Sequence, residues 1–163
     1  MSAEVEVEVQ IAPAFAGDLA AERLRGVAEA VLRHEGRSGE ATLVITDDEA
    51  IRELNRDFLG LDAPTDVLAF SAQEETGAFV AAPEAGSYLG DVIVSYPRAV
   101  AQAEEQRHPV EQELYLLITH GLLHLLGYDH AGEEEKAVMW ARQEAILNSL
   151  AVPALSLPGV GAL

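Results

Sequence analysis

Apolar and polar residues alternate one by one through Glu4-Val5-Glu6-Val7-Glu8-Val9-Gln10-Ile11, which predicts a half-buried strand with one wet face. The period then lengthens. Leu19, Leu24, Val27, Ala28 and Val31 share a helical stripe, with Asp18 as the expected N-cap and Gly36 and Gly39 as the stop. Ala41 to Thr46 reads as a buried strand, and Thr46, Asp47 or Asp48 then caps a short helix ending near Asp57. A loop containing glycine and proline, Leu59 to Asp66, leads to a third strand, Val67 to Ser71. Gln73 to Gly86 carries glycine, proline, alanine and glutamate without periodicity and reads as a loop. A fourth strand runs from Tyr88 to Ser95.

The remaining chain reads as helical. Pro97 opens a helix that ends near Arg107, His108-Pro109 breaks it, and a mostly apolar helix follows from Val110 to near Leu126. Gly127 stops that helix, Tyr128-Asp129-His130 forms a turn, and Glu133, Glu134 and Glu135 begin a last helix carrying Val138, Met139, Ala145, Ile146 and Leu150. Acids in a first helical turn complement the helix dipole, so these glutamates need no catalytic role. Residues 151–163 hold two prolines and little polarity and are expected to form an irregular apolar tail. No repeat or linker interrupts residues 1–150. The expectation is one α+β domain: a single mixed sheet of about four strands covered by helices.

Composition narrows the chemistry. The chain of 163 residues has no cysteine, which excludes disulfides and cysteine-ligated zinc fingers. Its first residues lack the basic and then apolar pattern of a secretory leader. The apolar stretch from Leu114 to Leu126 is broken by Thr119, His120, Gly121 and His124 and falls short of the ~20 apolar residues a membrane span needs. A cytoplasmic protein without a membrane partner is expected. The net charge of -18 repels phosphate backbones, which argues against a DNA partner and against nonspecific nucleic-acid binding. A local basic cleft or a bound divalent cation would be needed to offset it for RNA.

The informative segment is His120-Gly121-Leu122-Leu123-His124-Leu125-Leu126-Gly127-Tyr128-Asp129-His130. Residues four apart share a helix face, so His120 and His124 can aim their imidazoles at one point. A left-handed Gly127 would turn the chain back and return His130 as a third ligand, a metal-binding helix-turn. Three neutral nitrogens make a known catalytic zinc shell with a fourth position open. One Zn2+ ion is the expected cofactor. A chance pair of histidines on an apolar helix is common, but three of the five histidines within this segment, with a helix-stopping glycine between them, favour a metal site. His34 and His108 read as surface residues. Asp129 is either an orienting partner for an imidazole or an exposed turn acid.

The spacing is also that of the metzincin peptidases, which need a glutamate immediately after the first histidine. Gly121 stands there, so peptide hydrolysis is disfavoured. The whole string instead resembles the signature of the YbeY family of bacterial rRNA maturation factors. The resemblance extends through Leu54-Asn55, Asp62-Ala63-Pro64-Thr65-Asp66-Val67-Leu68-Ala69-Phe70 and Gly90-Asp91-Val92-Ile93-Val94-Ser95. It implies a zinc-dependent endoribonuclease specific for single strands, acting in rRNA 3′-end maturation and ribosome quality control, with His120, His124 and His130 as zinc ligands. Its partners would be single-stranded rRNA and the small ribosomal subunit or its assembly factors. The resemblance also places Thr65 and Asp66 near the cleft, while their positions alone favour turn and strand-entry roles. Tyr128 could stack a base or pack under the last helix. The family usually carries arginine and lysine where this chain has Leu59 and Leu61. That departure keeps open an alternative, a non-catalytic ribosome assembly factor with a structural metal.

Overall fold

The alternation at the start of the chain forms β1 (Val5–Ile11), with Val7 buried and Glu6, Glu8 and Gln10 exposed on the other face. The computed structural model describes residues 4–72, 88–128 and 132–150. Within them follow α1 (Ala21–His34), β2 (Gly39–Thr46), α2 (Asp48–Leu59), β3 (Val67–Ser71) and β4 (Tyr88–Ser95), then α3 (Tyr96–Gln106), α4 (Val110–Leu125) and α5 (Glu133–Ser149). The expected loop at Gln73 to Gly86, the turn at Asp129-His130 and the tail 151–163 lie outside the described residues.

The strands form one mixed sheet in the order β1-β2-β4-β3. β1 with β2 and β2 with β4 run parallel, and β3 joins the edge antiparallel to β4. The fold is therefore α+β, as the patterning predicts. α1 and α4 cover one sheet face and meet Val7, Leu43, Ile45, Val92 and Val94 in the main core. α2 covers part of the other face through Ile51, against Leu68 and Ile93. Strand β4 is covered on both faces along Val92-Ile93-Val94, which is why that stretch is apolar without alternation.

α4 is the central element. It is buried from Gln112 to Thr119 and again at Gly121, Leu122, Leu123 and Leu125, and a helix apolar all round belongs inside. α5 packs over it with Met139, Gln143, Ile146 and Leu147 buried. Val138 and Ala145, expected on that stripe, face outward instead.

Two local expectations are corrected. Asp18 does not cap α1: a 3-10 turn at Pro13–Phe15 intervenes, the Asp18 backbone N–H donates to the Phe15 carbonyl, and α1 starts after Ala20 with no side-chain cap. His108 is not a surface residue. Its side chain is 6% exposed, with Nε2 2.8 Å from Glu113 Oε1. A left-handed Arg107 ends α3 and Pro109 begins α4, so the ring is carried under the first turn of α4. Burial pushes the Glu113 carboxyl up from its ordinary range, with His108 opposing. Among the candidates for the short second helix, Asp47 is the cap, its Oδ1 accepting from Ala50 N at 2.8 Å.

Candidate functional site

The last turns of α4 carry His120 and His124, both part-exposed beside the buried Leu122, Leu123 and Leu125. Their rings meet edge to face with centroids 4.8 Å apart, so the i, i+4 spacing does place both imidazoles together. Gly127, at φ 106°, then reverses the chain. Gly127 N donates to the His124 carbonyl and Tyr128 N to the Leu123 carbonyl, each at 3.0 Å, the paired bonds of a Schellman stop. The positive φ is the reason a glycine is needed there. His130 and Asp129, next along the chain, lie outside the described residues.

His120 and His124 open into a cleft of about 600 Å³ whose lining also includes Leu59, Thr65, Asp66, Ser71 and Tyr128. The turn residues Thr65 and Asp66 thus belong to the cleft wall. Asp66 is held firmly: Oδ1 accepts from Thr65 Oγ1 at 3.3 Å and Oδ2 from Gln102 Nε2 at 3.2 Å. No lysine or arginine is among the described residues lining this cleft. Arg56 turns to Asp57 at 3.0 Å and Arg52 to Asp62 at 2.8 Å, while Leu59 and Leu61 stand 59% and 60% exposed. A cavity of about 670 Å³ on the α2 side of the sheet, between Phe58, Phe70 and Tyr88, contains neither histidine.

Sequence patterning missed two residues of the site, both on α5. Gln143 Oε1 lies 2.9 Å from His120 Nδ1, and the Trp140 ring meets the His120 ring edge to face at 5.5 Å. The available signal was a glutamine on the apolar stripe of α5, between Met139 and Ile146. Among the described residues, His120 and His124 are donors of the kind a zinc-type ion takes, two of the three expected. An amide oxygen can only accept, so a neutral His120 ring in this bond has its proton on Nδ1 and its lone pair on Nε2, the atom a metal would take.

The turn is tied to the rest of the fold through Glu35, whose side chain is 6% exposed. It accepts from the Tyr128 hydroxyl at 2.8 Å and pairs with Arg142 at 3.5 Å, linking the end of α1, the turn and α5. Tyr128 is thus anchored, half-buried, with the Arg142 guanidinium 6.0 Å from its ring centre. Replacing Glu35 by alanine removes the charge-assisted acceptor of the Tyr128 hydroxyl and the ion pair with Arg142, and is expected to cost about 1–3 kcal/mol in urea denaturation. A cost near zero would show that the link is dispensable.

Comparison with known proteins gives the family and the fold. The family model described as Endoribonuclease YbeY matches residues 10–151. A relative from Roseiflexus castenholzii named Endoribonuclease YbeY is 45% identical over 151 residues, covering 91% of this chain and 94% of its own. One of the same name from Chloroflexus aurantiacus is 44% identical over 150 residues, covering 90% and 96%. The solution structure of TM1509 from Thermotoga maritima has the same fold, with a TM-score of 0.55 at 23% identity over 93% of this chain and 97% of that one. The chain belongs to the YbeY endoribonuclease family.

Proposed function

We propose that this protein is a zinc-dependent endoribonuclease that cuts single-stranded RNA in rRNA 3′-end maturation and ribosome quality control. The observation that carries this reading is the convergence of His120 and His124 on one cleft, with His120 Nδ1 already engaged by Gln143. Family membership supports the RNA substrate. His130, following the Gly127 reversal, is the proposed third ligand, with Asp129 beside it as the group that orients an imidazole. A zinc ion there would supply a Lewis acid toward a phosphodiester oxygen.

The rest of the chemistry falls to the chain. His120 and His124 fix the position of the reacting phosphate along α4. Asp66, oriented by Thr65 and Gln102, supplies the carboxylate in the cleft wall and can order water or hold a proton there. Single-stranded rRNA is the proposed substrate, with the small ribosomal subunit or its assembly factors as partners and the cytoplasm as the setting. The direct test is cleavage of a labelled single-stranded RNA by zinc-loaded protein, with casein as a control. RNA cut and casein intact is the expected result. Intact RNA, with zinc bound and the protein folded, sinks the catalytic reading.

A second reading, a non-catalytic assembly factor with a structural metal, is favoured by the exposed Leu59 on a cleft wall with no cation among the described residues. Loss of cleavage with the fold intact separates the two, and Leu59→Arg tests whether RNA reaches this wall. One new charge-assisted hydrogen bond to phosphate is expected to tighten binding of single-stranded RNA about tenfold. Filter binding at two salt concentrations reads this. Unchanged affinity would mean that phosphates do not approach this wall.

A further inference from the structure

We infer that Gln143 is a positioning residue of the histidine centre, fixing His120 in one orientation and in the tautomer that keeps the lone pair on Nε2. The observation starts with an anomaly of burial. Gln143 is 4% exposed and sits between Met139 and Ile146, both fully buried. A buried amide costs free energy unless it is hydrogen-bonded, and leucine would fill such a position at lower cost. The bond it makes is to His120 Nδ1 at 2.9 Å.

Three contacts confine the ring. Gln143 takes one nitrogen, Trp140 meets the ring from one turn earlier on α5 at 5.5 Å, and His124 meets it from α4 at 4.8 Å. α5 is therefore part of the centre although neither of these two residues need be a ligand. The amide also differs from a carboxylate in this place. It selects the Nδ1–H tautomer without placing a formal charge against the imidazole. What Nε2 would bind rests on the proposed zinc reading; the selection of the tautomer does not.

The test uses the full chain with Gln143→Met, an apolar replacement of similar length, and Gln143→Glu, which keeps an acceptor. Zinc affinity is read by competition with a chromophoric chelator, the tautomer by long-range proton–nitrogen NMR of the imidazoles without metal, and folding by thermal denaturation. Gln143→Met is expected to weaken zinc binding about 10- to 100-fold. It should also release His120 from a single tautomer, while Gln143→Glu restores both. Gln143 as mere core filling would leave affinity and tautomer unchanged in Gln143→Met, and that result overturns the inference. So does a Gln143→Glu protein as impaired as Gln143→Met. Wild-type protein that binds no zinc would refute the metal reading alone. The tautomer comparison between wild type and Gln143→Met would then still decide the role of Gln143.

Discussion

Replacing His124 by alanine is expected to abolish RNA cleavage and to leave the protein folded. His124 is part-exposed on the cleft side of α4, so losing its imidazole opens no cavity in the core. Its backbone carbonyl still receives the Gly127 N–H, so the helix stop survives. Alanine is the best helix former, and substitutions outside buried features typically stay within about 0.5 kcal/mol. The loss falls on the centre. Removing a partner that only orients a ligand already costs about 10- to 100-fold in metal affinity, and removing a ligand should cost more. Zinc content, thermal denaturation and cleavage of labelled RNA are measured together. Cleavage at the wild-type rate would show that the nuclease chemistry does not run through this cleft.

Leucine at position 59 sharpens what that experiment reports. The cleft lining supplies Asp66 as a formal negative charge and no cation among the described residues, on a chain of net charge -18. RNA phosphate entering it would depend on bound metal for attraction more than a basic cleft would. His124→Ala should therefore weaken RNA binding as well as cleavage, and restoring charge through Leu59→Arg should recover binding without chemistry.

How much of this was legible in the sequence depends on whether the cause was local. β3 and β4 run from Val67 to Ser71 and from Tyr88 to Ser95, the bounds that patterning alone gives, because each carries a short apolar run, Val67 to Phe70 and Val92 to Val94. The stop at Gly127 was legible because a positive φ has a strong preference for glycine. His120 and His124 were legible because helical spacing by itself puts them on one face.

What failed was tertiary. Whether Asp18 caps a helix is decided by the chain before it, and the Pro13–Phe15 turn takes its backbone elsewhere. His108 looked exposed because it precedes a proline, yet the buried Glu113 one turn into α4 holds it inside. Gln143 was invisible for a related reason. A polar residue interrupts the apolar stripe of α5, and its partner lies 23 residues earlier in sequence. The antiparallel edge position of β3 likewise leaves no local mark.

Gly121 offers the strongest test of how α4 is seated. A Cβ built at this position would lie 2.6 Å from Val92 Cγ1 and 3.1 Å from Val67 Cγ2. The helix backbone at Gly121 thus packs directly against the side chains of Val67 on β3 and Val92 on β4. Both valines are β-branched and stiff at χ1, and Val92 is fully buried, so neither yields cheaply. Alanine would gain about 1 kcal/mol of helix propensity over glycine. Overpacking typically costs about 1–3 kcal/mol, more where both neighbours are rigid. The second effect wins, and Gly121→Ala is expected to lower stability by about 1–2 kcal/mol in urea denaturation. Gly121→Glu should cost well over that, about 4 kcal/mol or more, because it adds an unpaired carboxylate to the same clash. A glutamate here, where metzincin-type peptidases carry their general base, would have its Cβ directed at the sheet. An alanine variant as stable as wild type would mean that α4 sits farther from the sheet than the Val92 contact implies.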